Sequence, residues 1–478
     1  MHITPPHTTW SGQHLRRTTS GWGWGGGVKC IPQILKMNDI TQLRYYFLKI
    51  FNEWSFVLFL VILFLSFNQI DLLHLLPIKT DKVILKEILS IKISFGELGI
   101  ALLFLLIILK WIMEGKMSYE KYDKKYLLFI LSFFVSISLS TMFARMPYPA
   151  VKEIIQYSGY ILIWYLIIVD FIDIEKNIWI LVKFLSFAGA FLAFLGIVQF
   201  WVASVWHINI LQFLVPLSEN DTKLWFSEFT PRIRTTSLFI NPNSFGSFLV
   251  LIVPLSLVSW LKERRAIYSL LSLIILTGII TNYSPGAFLG LISSIFIFTI
   301  FHFKRIPYSI TISGLSSFFI LLSSYIFYPS YFSQVIDYLV EAASFRILLW
   351  KEALRIFSIY PFWGIGLNNF WWHLSPWWGQ NHSYLADAHN FIFNLLAETG
   401  IIGTLTFFGI LFYPIYRILP IMRYDPLLLG LLAGVGGCLV TAFFNSPAMF
   451  TRGTGLLFWL ELHLLVMYLS LLNAPRMK

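Results

Sequence analysis

SFLVLIVPLSLVSWLKERRAIYSLLSLIILTGII, residues 247–280, holds two apolar runs on either side of Lys262, Glu263, Arg264 and Arg265. A helix needs about 20 mostly apolar residues to cross a bilayer, and a basic cluster between two such runs marks a cytoplasmic connection. The rest of the chain repeats the pattern. Comparable runs lie near 54–73, 97–113, 126–143, 155–172, 178–201, 243–260, 267–283, 286–303, 309–328, 390–416, 427–446 and 453–472. No alternation of period two points to a barrel. The runs therefore predict an all-α, polytopic integral membrane protein of about twelve transmembrane helices, each satisfying its own backbone.

Composition agrees. Of 478 residues, 57% are hydrophobic, 18% aromatic and only 12% charged, with a mean hydropathy of +0.72. An average soluble domain carries about 25% charged residues, and a disordered chain needs low hydrophobicity with high charge. Both classes are excluded. The net charge of +11 comes from 35 Lys+Arg against 24 Asp+Glu. Most of these cations flank apolar runs, where they orient spans in the membrane, so no nucleic-acid partner is expected. Cys30 sits in a polar leader and Cys438 in an apolar run, which offers neither a disulfide framework nor a thiolate metal site.

Residues 1–36 form a Gly-, Thr-, Pro- and His-rich extension without the apolar core of a signal peptide. It reads as a flexible tail or as an over-long start, with Met37 as the first native residue. Residues 37–478 read as a single helical membrane domain. With the N-terminus inside, Lys262–Arg265 and Lys304–Arg305 fall on the cytoplasmic side, while Lys79, Lys82, Lys86 and Lys92 dissent. Two long connections then lie outside, near 202–241 and 329–389. The second is rich in Trp, Phe and Tyr with helix-like stretches, so it reads as a large ordered periplasmic loop, the kind of connection that carries function.

Within that loop, residues 343–362 (ASFRILLWKEALRIFSIYPF) read as a helix with Arg346, Trp350, Ala353 and Phe357 on one stripe. Lys351, Glu352 and Arg355 fall on the other side as a solvated face. Arg346 thus sits on an apolar face, where it is either paired with a buried acid or aimed at a phosphate, which guanidinium binds bidentately. His389 stands at the mouth of a span with Asp387 and Asn390 beside it, and a neutral imidazole serves as a general base near pH 7. Glu398 lies nine residues on, about 13 Å along a helix and on the opposite face, so Asp387 is the nearer partner for His389. Glu398, beside Gly400 and Gly403, reads as an intramembrane acid that fixes packing. Trp371, Trp372, Trp377 and Trp378 read as an interfacial belt or a sugar platform. Upstream, Arg232 and Arg234 precede a helix start whose Asn241, Pro242 and Asn243 look like a cap, a site that favours anions.

These residues resemble the O-antigen ligase and polymerase superfamily of bacterial envelope glycosyltransferases. The ligases' signature is His-Asn, nine residues, Gly, two residues, Gly; here it reads His389, Asn390, Gly400 and Gly403. Arg346 and Trp350 followed by PFWGIGLNNF resemble the family's periplasmic loop, and NPNSFGSF at 241–248 its sixth span. The resemblance covers roughly 230–410. It implies a helical membrane enzyme of the inner membrane that moves a glycan from undecaprenyl diphosphate to an acceptor glycan or glycolipid on the periplasmic side, inverting the anomeric centre without metal or other cofactor. His389 would be the base and Arg346 would hold the diphosphate, with Arg232, Arg234, Asp387 and Asn390 as further binding residues. One departure stands out: where the family commonly has Ser-Arg-Gly, this chain has Ser284, Pro285 and Gly286. Twelve helices also suit a solute or bicarbonate transporter, but the halves show no repeat and the polar residues gather in a loop rather than at the midplane.

The orientation is testable by labelling. In a background lacking Cys30 and Cys438, Ala266→Cys should resist an impermeant thiol reagent in intact cells while Gln380→Cys reacts; identical labelling of the two refutes the orientation.

Overall fold

A computed structural model describes residues 39–67, 71–75, 91–115, 121–206, 234–239, 241–302, 329–374, 387–421, 425–444 and 453–473. The polar extension, the 309–328 run, Arg232, Trp377, Trp378 and His382 lie outside these residues. The chain divides into two compact units, Met1–Phe47 and Leu48–Lys478; of the first, the described residues are the opening turns of α1 (Asp39–Ser66).

Eleven further helices follow among the described residues. They are α2 (Phe95–Glu114), α3 (Lys124–Ser140), α4 (Pro147–Phe171), α5 (Ile174–Trp206), α6 (Pro242–Glu263), α7 (Ala266–Asn282), α8 (Pro285–His302), α9 (Pro329–Ile359), α10 (Phe391–Ile418), α11 (Pro426–Phe444) and α12 (Thr454–Asn473). Ten are long and apolar enough to cross a membrane: all except α7, apolar but of 17 residues, and the amphipathic α9. Of the twelve runs read from the sequence, eleven coincide with described helices, ten of them long and the other the shorter α7, and the remaining run, 309–328, lies outside the described residues. A two-stranded antiparallel ladder, β1 (Asp71–Leu75) with β2 (Ile91–Ser94), was not read from the sequence. Its strands of 5 and 4 residues are too short to leave a periodic signal. Ser94 then opens α2 with a capping box, trading hydrogen bonds with Glu97.

The described core centres on α6, α11 and α12. From Phe245 to Ser256 no residue of α6 is exposed, as expected of a helix apolar on every face. Toward the opposite end from the site, Lys110 of α2 meets Asp170 of α4 at 2.8 Å, and Tyr122 Oη donates to the same carboxylate at 2.7 Å. A buried charge persists only when it is paired and hydrogen-bonded in this way.

The element that positions everything downstream is a break in α10. Gly400 has φ 63° and ψ −170°, so the helix is interrupted there. The break frees the carbonyls of Ala397 and Glu398 and the N–H groups of Ile401 and Ile402. All four are taken by the segment after α9: Ile365 N–H donates to Ala397 O at 3.1 Å and Gly366 N–H to Glu398 O at 2.9 Å. In return, Ile401 N–H donates to Pro361 O at 2.8 Å and Ile402 N–H to Phe362 O at 3.3 Å. Ser140 Oγ at the end of α3 adds a bond to Glu398 O at 2.6 Å. In a membrane, where an unpaired backbone group costs several kcal/mol, a broken helix needs such a partner.

A Cβ on Gly400 would come within 2.4 Å of the Phe362 carbonyl, besides straining a left-handed backbone. Gly115, which ends α2 at φ 69°, has nothing within 4 Å of that position. Gly400→Ala should therefore cost about 3 kcal/mol or more, and Gly115→Ala about 1 kcal/mol. Thermal melting of the purified protein in detergent checks this, and equal shifts contradict it.

Candidate active site

His389 sits in a tight turn before α10. Asn390 is the cap of that helix: its Oδ1 accepts from Ile392 N–H at 2.9 Å and Phe393 N–H at 3.2 Å. His389 itself has φ 49°, a left-handed conformation that costs a β-carbon-bearing residue of order 1 kcal/mol and persists only where neighbours enforce it. The enforcing contacts are specific. The His389 N–H donates to Asp387 Oδ1 at 2.5 Å, and the ring Nδ1 lies 3.3 Å from the same oxygen. Between them, Ala388 N–H donates to Asn394 Oδ1 at 3.1 Å and Ala388 O accepts from Trp350 Nε1 at 3.1 Å. A carboxylate at Nδ1 selects the tautomer protonated there and leaves the Nε2 lone pair for a substrate. The imidazole is 31% exposed, reachable yet held.

Helix α9 closes one side of this turn. Leu349, Ala353 and Ile356 bury a small core against Ile365, Phe370, Ala388 and Ala397. Trp350 stacks on Phe393, with ring centroids 5.3 Å apart, and meets Phe443 of α11 at 5.9 Å. Arg346, one turn before Trp350 on the same stripe, is half-buried. Lys351 is exposed, as the sequence predicts, but its expected neighbours on that face are not. Glu352 is buried, and its carboxylate takes Arg355 at 2.9 Å, while Arg355 Nη2 reaches His373 O at 2.5 Å. The helical wheel separates faces correctly but does not reveal that the 370–374 segment folds back over this one.

That segment also accounts for His373. Its Nδ1 lies 3.0 Å from Asn369 O, and its ring packs edge-on against Tyr360. Burial, opposed by the Asn369 carbonyl and reinforced by Arg145 and Arg355, holds its pKa below the ordinary histidine range. The ring stays neutral and donates to the carbonyl. Trp371 packs on the α9 core rather than standing free.

The second cluster joins the starts of α6 and α8. Asn241 caps α6 by accepting from Ser244 N–H at 2.8 Å, with Pro242 in the first turn. Asn243 Oδ1 accepts from both Arg234 Nη2, at 2.8 Å, and Ser284 Oγ, at 2.9 Å. The Arg234 guanidinium is thereby held beside Ser284-Pro285. Gly286, next along, lies against Phe444 and Thr441 of α11, and Phe444 packs on Phe443. The end of α11 therefore touches both the start of α8, beside the Arg234 cluster, and Trp350 beside the His389 turn.

Glu398 does not touch His389. Its Oε1 accepts from Phe370 N–H at 3.3 Å and its Oε2 from Asn394 Nδ2 at 3.3 Å. Asn394 was not singled out from the sequence. Its signal is the i, i+4 spacing of Asn390, Asn394 and Glu398 on one helix face.

A cap-only role for Asn390 has a measurable consequence. Asn390→Ala should cost about 1 kcal/mol, whereas Asn390→Ser, which keeps an acceptor, should stay near wild type in melting temperature. A clearly destabilised Asn390→Ser would show that more than the cap bonds rests on this side chain.

Residues 270–408 match a family model described as O-antigen ligase. The matched stretch takes in Arg346, Asp387, His389, Asn390 and Glu398 and leaves out Arg232 and Arg234. No curated protein gives a significant match. Through this stretch, which contains the broken helix and the histidine turn, the chain is similar to the O-antigen ligase family.

Proposed function

We propose that the protein transfers a glycan from an undecaprenyl-diphosphate donor to an acceptor sugar at the outer face of the bacterial inner membrane, with His389 as general base. In that step the acceptor oxygen bonds to the anomeric carbon as the carbon–phosphate oxygen bond breaks. The hydroxyl proton passes to Nε2 of His389, and the electron pair leaves with the diphosphate, whose good leaving ability makes a general acid dispensable. A single displacement inverts the anomeric configuration. The observation that carries this reading is the His389 turn, a partly exposed imidazole fixed by Asp387 in a strained conformation inside the family stretch.

The donor headgroup falls to Arg346 and Arg234. Arg346 shares its stripe with Trp350, which touches Ala388. Arg234 is held through Asn243 against Ser284, beside the position where the resembling family carries arginine and this chain has Pro285. That placement supports Arg234 as the substitute, because a guanidinium binds phosphate oxygens bidentately from either backbone origin. Arg232 lies outside the described residues. Asp387 orients the base, and the choice between a lipid-linked core and another lipid-linked repeat as acceptor rests on surfaces beyond this turn.

The test uses purified protein with donor and acceptor lipids extracted from cells lacking the gene. His389→Ala should lose about 10²–10⁴-fold in kcat, the contribution of a positioned base, while His373→Ala retains transfer. Arg346→Lys should lose most activity and Lys351→Ala little. A near wild-type rate for His389→Ala would place the base elsewhere.

A further inference from the structure

We infer that Ala388 is held in a two-sided backbone clamp, Asn394–Glu398 on its N–H and Trp350 on its carbonyl, and that this clamp positions His389 for proton transfer. The inference rests on the reading of His389 as base. Asp387 and His389 flank Ala388, and both polar groups of the residue between them are bound to side chains. The N–H side is a relay. Ala388 N–H donates to Asn394 Oδ1, Asn394 Nδ2 donates to Glu398 Oε2, and Glu398 Oε1 accepts from Phe370 N–H in the segment that folds back over α9. Glu398 is buried and its own carbonyl is fixed by Ser140 and Gly366. The relay therefore starts from a rigid point. The carbonyl side comes from a different helix, through an indole wedged between Phe393 and Phe443.

The left-handed backbone of His389 explains why such a clamp is needed. An isolated Ala-His-Asn turn would relax to φ below zero, swinging the imidazole away from Asp387 and from any bound acceptor. A displacement of about 1 Å in a reacting group costs on the order of 10²-fold in rate. Glu398, Asn394 and Trp350 are positioning residues in this account; none touches substrate.

Donor and acceptor polarity give the relay a distinctive test. Glu398→Gln leaves one oxygen where the backbone N–H groups of Asn368 and Phe370 and the Asn394 amide need acceptors, so Asn394 or a backbone N–H loses its bond. Asn394→Asp sets two carboxylates against each other. The double variant Glu398→Gln with Asn394→Asp exchanges the two functional groups. The new amide nitrogen at position 398 then donates to the new carboxylate at position 394, which still accepts from Ala388 N–H. The amide oxygen at position 398 accepts from the backbone N–H groups of Phe370 and Asn368, so the relay to Ala388 is restored with one polarity reversed.

With the lipid extracts described above, each single variant should lose about 10²-fold in kcat with the donor KM within about threefold. The double variant should recover to within about tenfold of wild type. In a His389→Ala background Glu398→Gln should cause no further loss, since there is then no base to misplace. Unchanged kcat in the singles, no recovery in the double, or multiplicative loss with His389→Ala each overturns the clamp. If the single variants do not accumulate as folded protein, Trp350→Phe is decisive: it keeps the ring stack, removes the N–H to Ala388 and should lower kcat about tenfold at constant KM, and an unchanged kcat overturns the inference. An active His389→Ala enzyme would instead sink the underlying reading of the base, which keeps the two failures apart.

Discussion

The exchange of four backbone hydrogen bonds at Gly400 is the constraint on which the His389 end of the molecule depends. A helix broken inside a bilayer exposes two carbonyls and two N–H groups that lipid cannot satisfy. Here they are satisfied by Pro361, Phe362, Ile365 and Gly366, immediately after α9. Leaving this docked state would unpair four groups together, each at a cost of about 1–3 kcal/mol or more, so the segment has no alternative resting place. Its docking brings α9 alongside the first turns of α10, seats Trp350 against Ala388, and sets the turn that carries His389. Gly400 thus bears on the His389 turn from several turns away, through backbone bonding.

Electrostatics favour an anion at the same end. Helices α6, α8 and α12 begin side by side: Asn243 links the first two through Ser284, and Thr454 Oγ1 donates to Ser244 O at 2.8 Å. Their positive ends and the Arg234 guanidinium add to one another there. The end of α11 touches both clusters: Phe443 meets Trp350 and packs on Phe444, which lies against Gly286.

Much of this was legible in the sequence. Apolar runs gave the helices, and Asn241 with Pro242 gave the start of α6 because capping is a local interaction. The pairing of His389 with Asp387 was readable from two-residue spacing, and its separation from Glu398 from helical geometry. What was not legible depends on contacts distant in sequence. Glu352 and Arg355 lie on the face opposite Trp350, but only the folded-back 370–374 segment decides that this face is covered. Asn394 looks like an ordinary polar residue in the first turns of a helix until Ala388 and Glu398 are both in view. Likewise, that Arg234 lies beside Ser284 depends on Asn243, which is 41 residues from that serine.

The most direct test of the account is the anomeric configuration of the product. Purified protein would be incubated with undecaprenyl-diphosphate-linked glycan of known configuration, and the new glycosidic linkage assigned by its one-bond carbon–proton coupling in NMR. A His389-assisted single displacement requires the opposite configuration in the product and one undecaprenyl diphosphate released per linkage. A product that retains the donor's configuration, or an absence of transfer by folded protein supplied with both lipids, would contradict it.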